Sequence, residues 1–393
     1  MSQWLYNTKK LFLLVVSVSY VIGMVLFAFN DKNKDYLLRS DFSAYYTGAK
    51  IVSMGEIDRL YDHAFQKQVQ TEVRGYELPG VLSFRNPPIT AYLYSIFTIF
   101  EPILAYRVYL IINIIVTFAT IWFFCRYLNL DSKYFLYALW FLPTIGSLYN
   151  AQISPFLLLF FVLVYKSMKE NKYFSAGLFS GLLFLKLQYL IAIPFIWFLS
   201  KDKKKYITGV ATSLSSCVLF SFLIYGGSFL RDFISFTFAS EKIDYGTISV
   251  ENFNIMSFSW FLRDIPYANL ILLIITGSGL LSTYVYYYLK GKTIDFDRGF
   301  SSAILFSITL NLHSLYTDLI LFVIPLFLIV SREFFGKVNQ NRERLFLYIL
   351  YFLPYLGFIN LQGIAALIYL CIAVVIVYEG HFKIIKFFWR KQG

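Results

Sequence analysis

Long apolar runs recur along nearly the whole chain, and they restrict the possible folds more than any other feature. The first reads LFLLVVSVSYVIGMVLFAF over residues 11–29. A helix needs about 20 apolar residues to cross a bilayer, whereas a membrane β-strand alternates apolar and polar residues over about 10. This run does not alternate, and 58% of all residues are hydrophobic, more than a soluble domain carries. The sequence therefore predicts an all-α, polytopic membrane protein.

The apolar runs divide into about twelve predicted spans. Residues 11–29 exceed the apolar region of a signal peptide and no small-residue cleavage site follows, so we interpret them as an uncleaved first span. The predicted spans are 11–29, 88–101, 103–125, 134–149, 154–169, 173–199, 206–225, 268–289, 299–312, 315–331, 345–358 and 361–379. We expect a single membrane-embedded domain over 1–393, with two long outer loops at 30–88 and 226–267.

The distribution of charge predicts an orientation and argues against a nucleic-acid partner. The net charge is +12, but the excess lies in short segments such as 201–205 and in the tail, at Lys383, Lys386, Arg390 and Lys391. The loop 30–88 has eight basic and eight acidic residues, and 226–267 has three and five. Basic short loops lie in the cytoplasm and contact anionic headgroups. Both termini are therefore expected to be cytoplasmic, with the long loops outside.

The topology between residues 126 and 200 stays open at this point. Lys166, Lys169 and Lys172 form a basic connection that the twelve-span arrangement puts outside. A hairpin that splits 173–199 at Lys186 would put these lysines inside, but it needs another change of parity upstream.

The first outer loop is expected to carry amphipathic helices. In FSAYYTGAKIVSMG, the residues Phe42, Tyr45, Tyr46, Ala49 and Val52 recur at helical spacing. This pattern predicts a helix along the membrane surface with its aromatic side chains at headgroup depth.

Two short acidic motifs in this loop could serve either chemistry or capping. Asp41 precedes the predicted helix, where a carboxylate is a helix N-cap, a general base or a ligand. Asp62 and His63 are adjacent in LYDHAF, and a turn with a cap is the interpretation that we favour there. Arg85 precedes two prolines and is either an interfacial cation or an anion ligand.

Polar residues interrupt several apolar runs, in NAQISP at 150–155, FLKLQ at 184–188 and NLHSLYTD at 311–318. Polar backbone breaks at membrane depth are tolerated only where they line a protein cavity, and buried ionisable residues indicate function. The candidates are Gln152, Lys186, Gln188, His313, Tyr316 and Asp318. The stretch 251–265 could cover such a cavity or only pack at the interface.

These motifs, in their order, resemble glycosyltransferase family 87, the bacterial polyprenyl-phosphate-mannose-dependent α-mannosyltransferases of the GT-C class. The series begins with DFSAYYTGAK and FRNPPI, continues with NAQISP and GLLFLKLQYL, and ends with ENFNIMSF and HSLYTD. The chain departs from the family pattern at Asn86, at Ala151 and at Thr317, which separates Tyr316 from Asp318.

The resemblance implies a GT-C-like fold and a sugar transfer at the outer face of the cell membrane, with inversion. The donor would be a polyprenyl-phosphate sugar, with mannose as the sugar that the resemblance implies, and the acceptor a lipid or glycan hydroxyl. Asp41 would be the general base, and no metal or other cofactor is implied. The donor phosphate would be stabilised by cations, for which Lys186, Arg85 and His313 are the candidates. The expected substrate-binding residues are Tyr45, Tyr46, Gln152, Gln188, Asn252, Tyr316 and Asp318.

Two other classes of function remain compatible with the residues. A transporter or flippase of lipid-linked saccharide would move its substrate between leaflets without breaking a bond. A non-catalytic subunit of envelope polysaccharide assembly would tolerate neutralisation of Asp41.

Overall fold

The computed structural model describes residues 3–77, 80–243, 252–259, 262, 264–332 and 340–378. Its regular elements are helical, and Asn252 and Leu315 form an isolated antiparallel bridge. The all-α prediction is confirmed. The basic tail with Lys383, Lys386, Arg390 and Lys391 lies outside the described residues, as does Glu251.

The helices, in chain order, are α1 Gln3–Phe29, α2 Lys34–Leu37, α3 Phe42–Ser53, α4 His63–Arg74, α5 Pro88–Tyr94, α6 Pro102–Tyr127, α7 Ser132–Trp140, α8 Leu142–Tyr149, α9 Ser154–Lys169, α10 Tyr173–Gly181, α11 Ala192–Leu199, α12 Lys203–Tyr225, α13 Phe229–Ile243, α14 Ala268–Lys290, α15 Phe296–Thr309, α16 Val323–Arg332, α17 Gln340–Phe352 and α18 Gln362–Tyr378. Short 3₁₀ segments join them at Asp31–Asn33, Ile57–Arg59, Ser95–Ile99, Leu182–Ile191, Ile255–Ser259, Tyr316–Phe322 and Leu353–Ile359.

In the part of the chain that the structure describes, five helical segments are long and apolar enough to cross a membrane: Leu11–Phe29, Pro102–Tyr127, Tyr173–Leu199, Lys203–Tyr225 and Ala268–Lys290. Four shorter apolar segments accompany them, at Pro88–Ile99, Tyr316–Ser331, Arg344–Ile359 and Gln362–Val377. The chain is thus a membrane protein by length and composition of its helices, while the count of twelve spans and the division into one domain with two outer loops stay predictions.

The helices connect two ends of the bundle with different composition. One end, which we call the basic end, contains residues 126–133, 166–172, 200–205 and 290–298, with twelve Lys or Arg against five Asp or Glu. At the other end, which we call the junction, residues 150–154, 185–188 and 311–318 meet the start of α3. Helix α9 runs from one to the other, because Ser154 bonds Asp318 and Lys169 pairs with Asp297. Its 16 residues cover about 24 Å.

The segment Tyr173–Leu199 starts and finishes at the basic end. It begins four residues after Lys169, and its last residues lie against the backbone of Gly291 and the turn at Gly299. Its middle reaches the junction, where the carbonyl of Leu185 accepts a hydrogen bond from Asn86. The backbone leaves the helical region at Lys186, with φ −136° and ψ 87°. The segment is therefore a hairpin that reverses at Lys186, and residues 166–172 share an end with 200–205.

The hairpin adds one crossing of the membrane, so one of the spans predicted earlier in the chain must not cross. The segment 88–101 fits this requirement. Asn86, just before α5, bonds the carbonyl of Leu185, while the carbonyl of Phe100 accepts from Tyr46 of α3. Both ends of the segment therefore stay in the half of the bundle that holds the junction. These contacts do not support the prediction that 88–101 crosses the membrane. They fit a short apolar run that returns to the side from which it entered.

Helix α3 is buried in protein instead of lying on headgroups. Phe42 and Ala49 are fully buried, and Tyr45 and Tyr46 are 5% and 3% exposed. The helix packs against α4, α5 and the 3₁₀ segment Ser95–Ile99. The predicted helix is confirmed, but the prediction that its aromatic face contacts headgroups is wrong. Helical spacing shows which face is apolar, and it does not show whether lipid or protein covers that face.

The turn at Asp62 has the simpler of its two possible roles. Asp62 is the N-cap of α4, and its side chain accepts a hydrogen bond from the backbone N–H of Phe65 at 3.1 Å. This capping satisfies one of the free N–H groups of the first turn. Pro88 likewise begins α5 at its first turn, a position where the missing N–H of proline has no cost.

Candidate active site

The carboxylate of Asp41 stands at a helix start without capping it. Asp41 occupies the N-cap position of α3, but its backbone is already helical, with φ −59° and ψ −22°, and its side chain makes no capping hydrogen bond. Instead Oδ2 accepts a hydrogen bond from Nε2 of Gln152. Of the roles left open by the sequence, capping is therefore not the one that its side chain adopts.

Gln152 is fixed from both its side chain and its backbone. The hydroxyl of Tyr45 donates to Gln152 Oε1 at 3.1 Å, which leaves Nε2 to face Asp41. Its carbonyl accepts from Asn113 Nδ2 at 2.8 Å and from the hydroxyl of Tyr109 at 3.3 Å. Gln152 is only 3% exposed. The Asp41 carboxylate is thus held by a buried amide whose orientation is set by its neighbours.

Tyr45 keeps its proton in this arrangement. Burial raises the pKa of Tyr45 well above its usual range, and the nearby Tyr109, Asp41 and Asp318 raise it further. Its ring also stacks on Tyr94, with the ring centroids 4.9 Å apart. Tyr45 is therefore a rigid, neutral hydrogen-bond donor between Gln152 and the acidic groups.

Lys186 and Asp318 form a buried ion pair at the junction. Their side chains are 7% and 0% exposed, and Ser154 donates to Asp318 Oδ1 at 2.5 Å. The backbone N–H of Leu315 donates to Oδ2 at 3.3 Å. The kink at Lys186 and the 3₁₀ turn at 316–322 bring the two charges together. The carboxylate of Asp318 therefore balances the ammonium of Lys186 inside the protein.

His313 lies among these charges and is neutral near pH 7. Burial lowers the pKa of His313 to about 3, with Arg85 and then Lys186 lowering it as well, while Asp318 opposes them. Two cations and one anion therefore surround a neutral imidazole. At neutral pH this histidine can donate or accept a hydrogen bond, but it does not supply a positive charge.

Amide side chains tie the surrounding loops together. Gln188 Nε2 donates to the carbonyl of His313 at 3.2 Å, and Asn252 Oδ1 accepts from the N–H of Ser314 at 3.3 Å. Asn252 is fully buried, and its Nδ2 has no hydrogen-bond partner among the described residues. The Nδ2 donor of Asn252 therefore lies beside the loop that carries His313 and is not used by any described residue.

Tyr316 and Tyr46, two of the predicted substrate-binding residues, make hydrogen bonds within the protein. Asn150 donates to the hydroxyl of Tyr316 at 2.8 Å, and the ring of Tyr316 covers Gly146, where a Cβ atom would clash. Tyr46 donates to the carbonyl of Phe100 at 2.8 Å. Tyr316 thus borders the junction, whereas Tyr46 is directed towards the turn before α6 and is not grouped with the other candidates.

The sequence reasoning missed some of the residues that support the site. Ser154 bonds Asp318, Asn113 holds the carbonyl of Gln152, and Asn86 holds the carbonyl before Lys186. Asn113 could have been found, since it is a lone amide inside the apolar run of α6. Among the described residues, no three His, Cys, Asp or Glu side chains are grouped so as to hold a metal ion.

Comparison with known proteins identifies the class of the chain. The model of glycosyltransferase family 87 matches residues 84–309, which is more than half of the chain and includes Arg85, Gln152 and Lys186. Asp41 precedes the matched region, and His313 and Asp318 follow it. Neither the curated proteins nor the solved structures gave a match. The resemblance seen in the motifs is confirmed: this chain belongs to glycosyltransferase family 87 and is a membrane glycosyltransferase.

Proposed function

We propose that the protein transfers a sugar from a polyprenyl-phosphate donor to a hydroxyl of a lipid or glycan acceptor, with inversion and with Asp41 as the general base. Mannose is the sugar that the family resemblance favours. The observation that carries the proposal is the separation of charge at the junction. Asp41 is held on Gln152, while Arg85 and Lys186 surround His313 nearby.

The chemistry of the transfer matches this separation. The acceptor oxygen attacks the anomeric carbon, the bond from that carbon to the phosphate oxygen breaks, and the hydroxyl proton passes to Asp41. The donor is a phosphate diester with one negative charge, whereas the leaving polyprenyl phosphate is a monoester that gains a second. Cations near this oxygen stabilise the transition state more than the bound donor, which is the requirement for catalysis.

Each cationic candidate has its own role in the proposal. Arg85 offers a planar set of donors suited to phosphate oxygens. Lys186 shares its charge between Asp318 and the phosphate, so Asp318 orients the ammonium. His313 contacts the phosphate as a neutral hydrogen-bond donor, a change from the cationic role implied by the resemblance. The approaching phosphate would raise the pKa of this imidazole.

The remaining candidates bind or border the sugar and acceptor. The Nδ2 donor of Asn252 and the amide of Gln188 lie beside the loop of His313. A sugar hydroxyl there would accept the hydrogen bond that Asn252 Nδ2 makes to no described residue. Tyr45 and Tyr316 provide aromatic walls.

The orientation in the membrane follows from the two ends of the bundle. The segments at the basic end have twelve basic and five acidic residues, and such an excess stays in the cytoplasm. The junction would then face the extracytoplasmic side of the cell membrane, where a lipid-linked sugar is presented. The hairpin supports this arrangement, because it moves Lys166, Lys169 and Lys172 to the cytoplasmic end.

The experiment compares purified wild type with Asp41→Asn, supplied with polyprenyl-phosphate mannose and a lipid or glycan acceptor. Loss of general-base catalysis should lower turnover by about 10²–10⁴-fold, with the protein still folded. Equal turnover in both proteins would remove Asp41 from this role. No turnover with any polyprenyl-linked sugar would reject the donor class.

A further inference from the structure

The segment that leads to Arg85 has no regular secondary structure, yet its backbone is hydrogen-bonded. Residues 81–85 lie between α4 and α5 and are neither helix nor strand. Leu82 and Phe84 nevertheless satisfy their backbone groups through two glutamines of α4, Gln66 and Gln70. These glutamines are 0% and 2% exposed, which is rare for a residue of this type.

Each glutamine pairs with one residue of the segment through both of its amide groups. Gln70 donates to the carbonyl of Leu82 at 3.1 Å and accepts from the N–H of Leu82 at 3.0 Å. Gln66 accepts from the N–H of Phe84 at 2.8 Å, and its Nε2 donates to the carbonyl of Leu60 at 2.6 Å, with a longer contact of 3.4 Å to the carbonyl of Phe84. A pair of residues in an antiparallel sheet exchanges the same two bonds. The glutamines therefore act as a short substitute for a neighbouring strand.

The spacing explains why a helix can do this. Residues four apart on a helix are separated by about 6 Å along its axis, and residues two apart on a strand by about 6.6 Å. Gln66 and Gln70 thus match Phe84 and Leu82 in antiparallel order.

The pairing also connects to the kink at Lys186. One residue beyond Arg85, Asn86 donates to the carbonyl of Leu185 at 3.0 Å, and its own carbonyl accepts from the hydroxyl of Tyr61 at 2.9 Å. The phenyl ring of Phe84 fits against Gly48 of α3, where a Cβ atom would lie 2.7 Å from it. The backbone on either side of Arg85 is therefore fixed to α3, α4 and the residue before Lys186.

We propose that Gln66 and Gln70 are positioning residues that set where Arg85 stands relative to Lys186, and thereby form the phosphate site. This inference rests on the proposed function, since it assumes that Arg85 and Lys186 bind the phosphate of a polyprenyl-linked sugar. The two glutamines touch no substrate. Their effect reaches the phosphate through the backbone of 82–84.

Gln70→Glu tests the pairing because it keeps the shape of the side chain and changes one group. When ionised, the new carboxylate still accepts from the N–H of Leu82, but it cannot donate to the carbonyl of Leu82 or to the hydroxyl oxygen of Thr47, as Gln70 Nε2 does, and it repels the carbonyl. When protonated, the new carboxyl restores the donor. Burial raises the pKa of a carboxyl group, so the donor should return as the pH falls from 8 to 5.5.

The measurement is thermal stabilisation of the purified full-length protein in detergent by farnesyl phosphate, titrated at pH 8 and pH 5.5. At pH 8 we expect Gln70→Glu to bind this phosphate about tenfold more weakly than wild type, as for one lost buried hydrogen bond. At pH 5.5 the two should agree within about threefold. Each comparison is made at one pH, so the titration of the phosphate itself cancels.

A matched control lies on the same helix. Gln68 is exposed and donates to Glu72 at 3.0 Å, so Gln68→Glu adds the same charge without touching residues 82–84, and it should bind like wild type at both pH values. Gln66→Glu is a second test, in case Gln70→Glu does not fold at pH 8, and it should reproduce the pH-dependent loss because its Nε2 donates to the carbonyls of Leu60 and Phe84. A general loss of packing would lower the melting temperature without this dependence on pH.

The outcomes separate the two proposals. If wild type is stabilised and both buried variants bind as tightly as wild type at pH 8, the positioning role is rejected while the donor class stands. If farnesyl phosphate does not stabilise wild type, the phosphate site fails, and with it both the donor class and the positioning role.

Discussion

Two lysine–aspartate pairs lie at the two ends of α9. They have the same chemistry, but they differ in burial and in the backbone that carries them. At the basic end, Lys169 Nζ lies 2.9 and 3.1 Å from the two oxygens of Asp297, and Tyr165 donates to the same carboxylate at 2.7 Å. At the junction, Lys186 pairs with Asp318, to which Ser154 also donates.

The backbone beneath the two pairs explains their different roles. Lys169 lies in the last turn of α9, and Asp297 in the first turn of α15. Each charge therefore has a favourable interaction with the dipole of its own helix, and the lysine remains 29% exposed. Lys186 instead stands at a non-helical residue inside a hairpin, almost completely buried.

The difference in backbone and burial distinguishes a pair with a structural role from a pair that we propose takes part in phosphate binding. A pair that joins two regular helix ends needs nothing from a ligand. A buried pair on irregular backbone, next to Arg85 and His313, would hold a cation at the proposed phosphate site before an anion binds. We therefore expect the basic-end pair to affect stability alone and the junction pair to affect both stability and transfer.

The largest effect is expected from Lys186→Met. The change leaves Asp318 as an unpaired buried charge, which costs about 3–5 kcal/mol of stability, and it removes a cation from the leaving phosphate. Thermal unfolding and transfer from polyprenyl-phosphate mannose measure the two losses. The double variant Lys186→Met with Asp318→Asn should regain much of the stability and none of the transfer. Recovery of transfer in the double variant would show that the pair is only structural.

A smaller effect is expected from Lys169→Met at the basic end. The partly exposed lysine leaves Asp297 with its bond from Tyr165, so the loss should be about 1 kcal/mol, seen as a lower melting temperature. Transfer per folded molecule should be unchanged. A fall in transfer as large as that of Lys186→Met would abolish the distinction between the two pairs.

The smallest effect is expected from His313→Gln, and it concerns acid stability. The pKa of His313 is lowered from 6.5 to about 3, so between these values the unfolded chain binds a proton that the folded chain does not. Stability is then lost as the pH falls below about 6.5, by at most about 1.4 kcal/mol per pH unit and less for this partly exposed ring. Melting temperatures at pH 7.5 and 5 should therefore fall less in His313→Gln than in wild type. An equal fall would show that His313 is already protonated in the folded protein.

The polar breaks in the apolar runs were predictable, because unsatisfied backbone at membrane depth has few solutions. Gln152, Lys186, Gln188, His313, Tyr316 and Asp318 all lie at or around the junction as a result. Their pairing was not predictable. Lys186 and Asp318 are 132 positions apart, and neither local motif indicates which residue its charge pairs with.

The sequence predicts the path of the chain less well than its polar breaks. Hydropathy measures the length of an apolar run and does not distinguish a crossing from a return, so it predicts a crossing at 88–101 and leaves a crossing or a hairpin open at 173–199. Gln66 and Gln70 were passed over for a related reason. In the sequence they resemble the polar face of an ordinary helix, and only the tertiary fold shows that this face is turned inward.

The hairpin at Lys186 has a consequence for the lipid around the protein. Each of its arms has about 13 residues, which as a helix cover about 20 Å, whereas the hydrocarbon core is about 30 Å thick. Such a hydrophobic mismatch is met by local thinning of the bilayer or by a depression in the protein surface. In the second case, the proposed reacting groups would lie below the level of the surrounding headgroups. The thickness of the host membrane would then set how far the head of the proposed lipid-linked donor must descend.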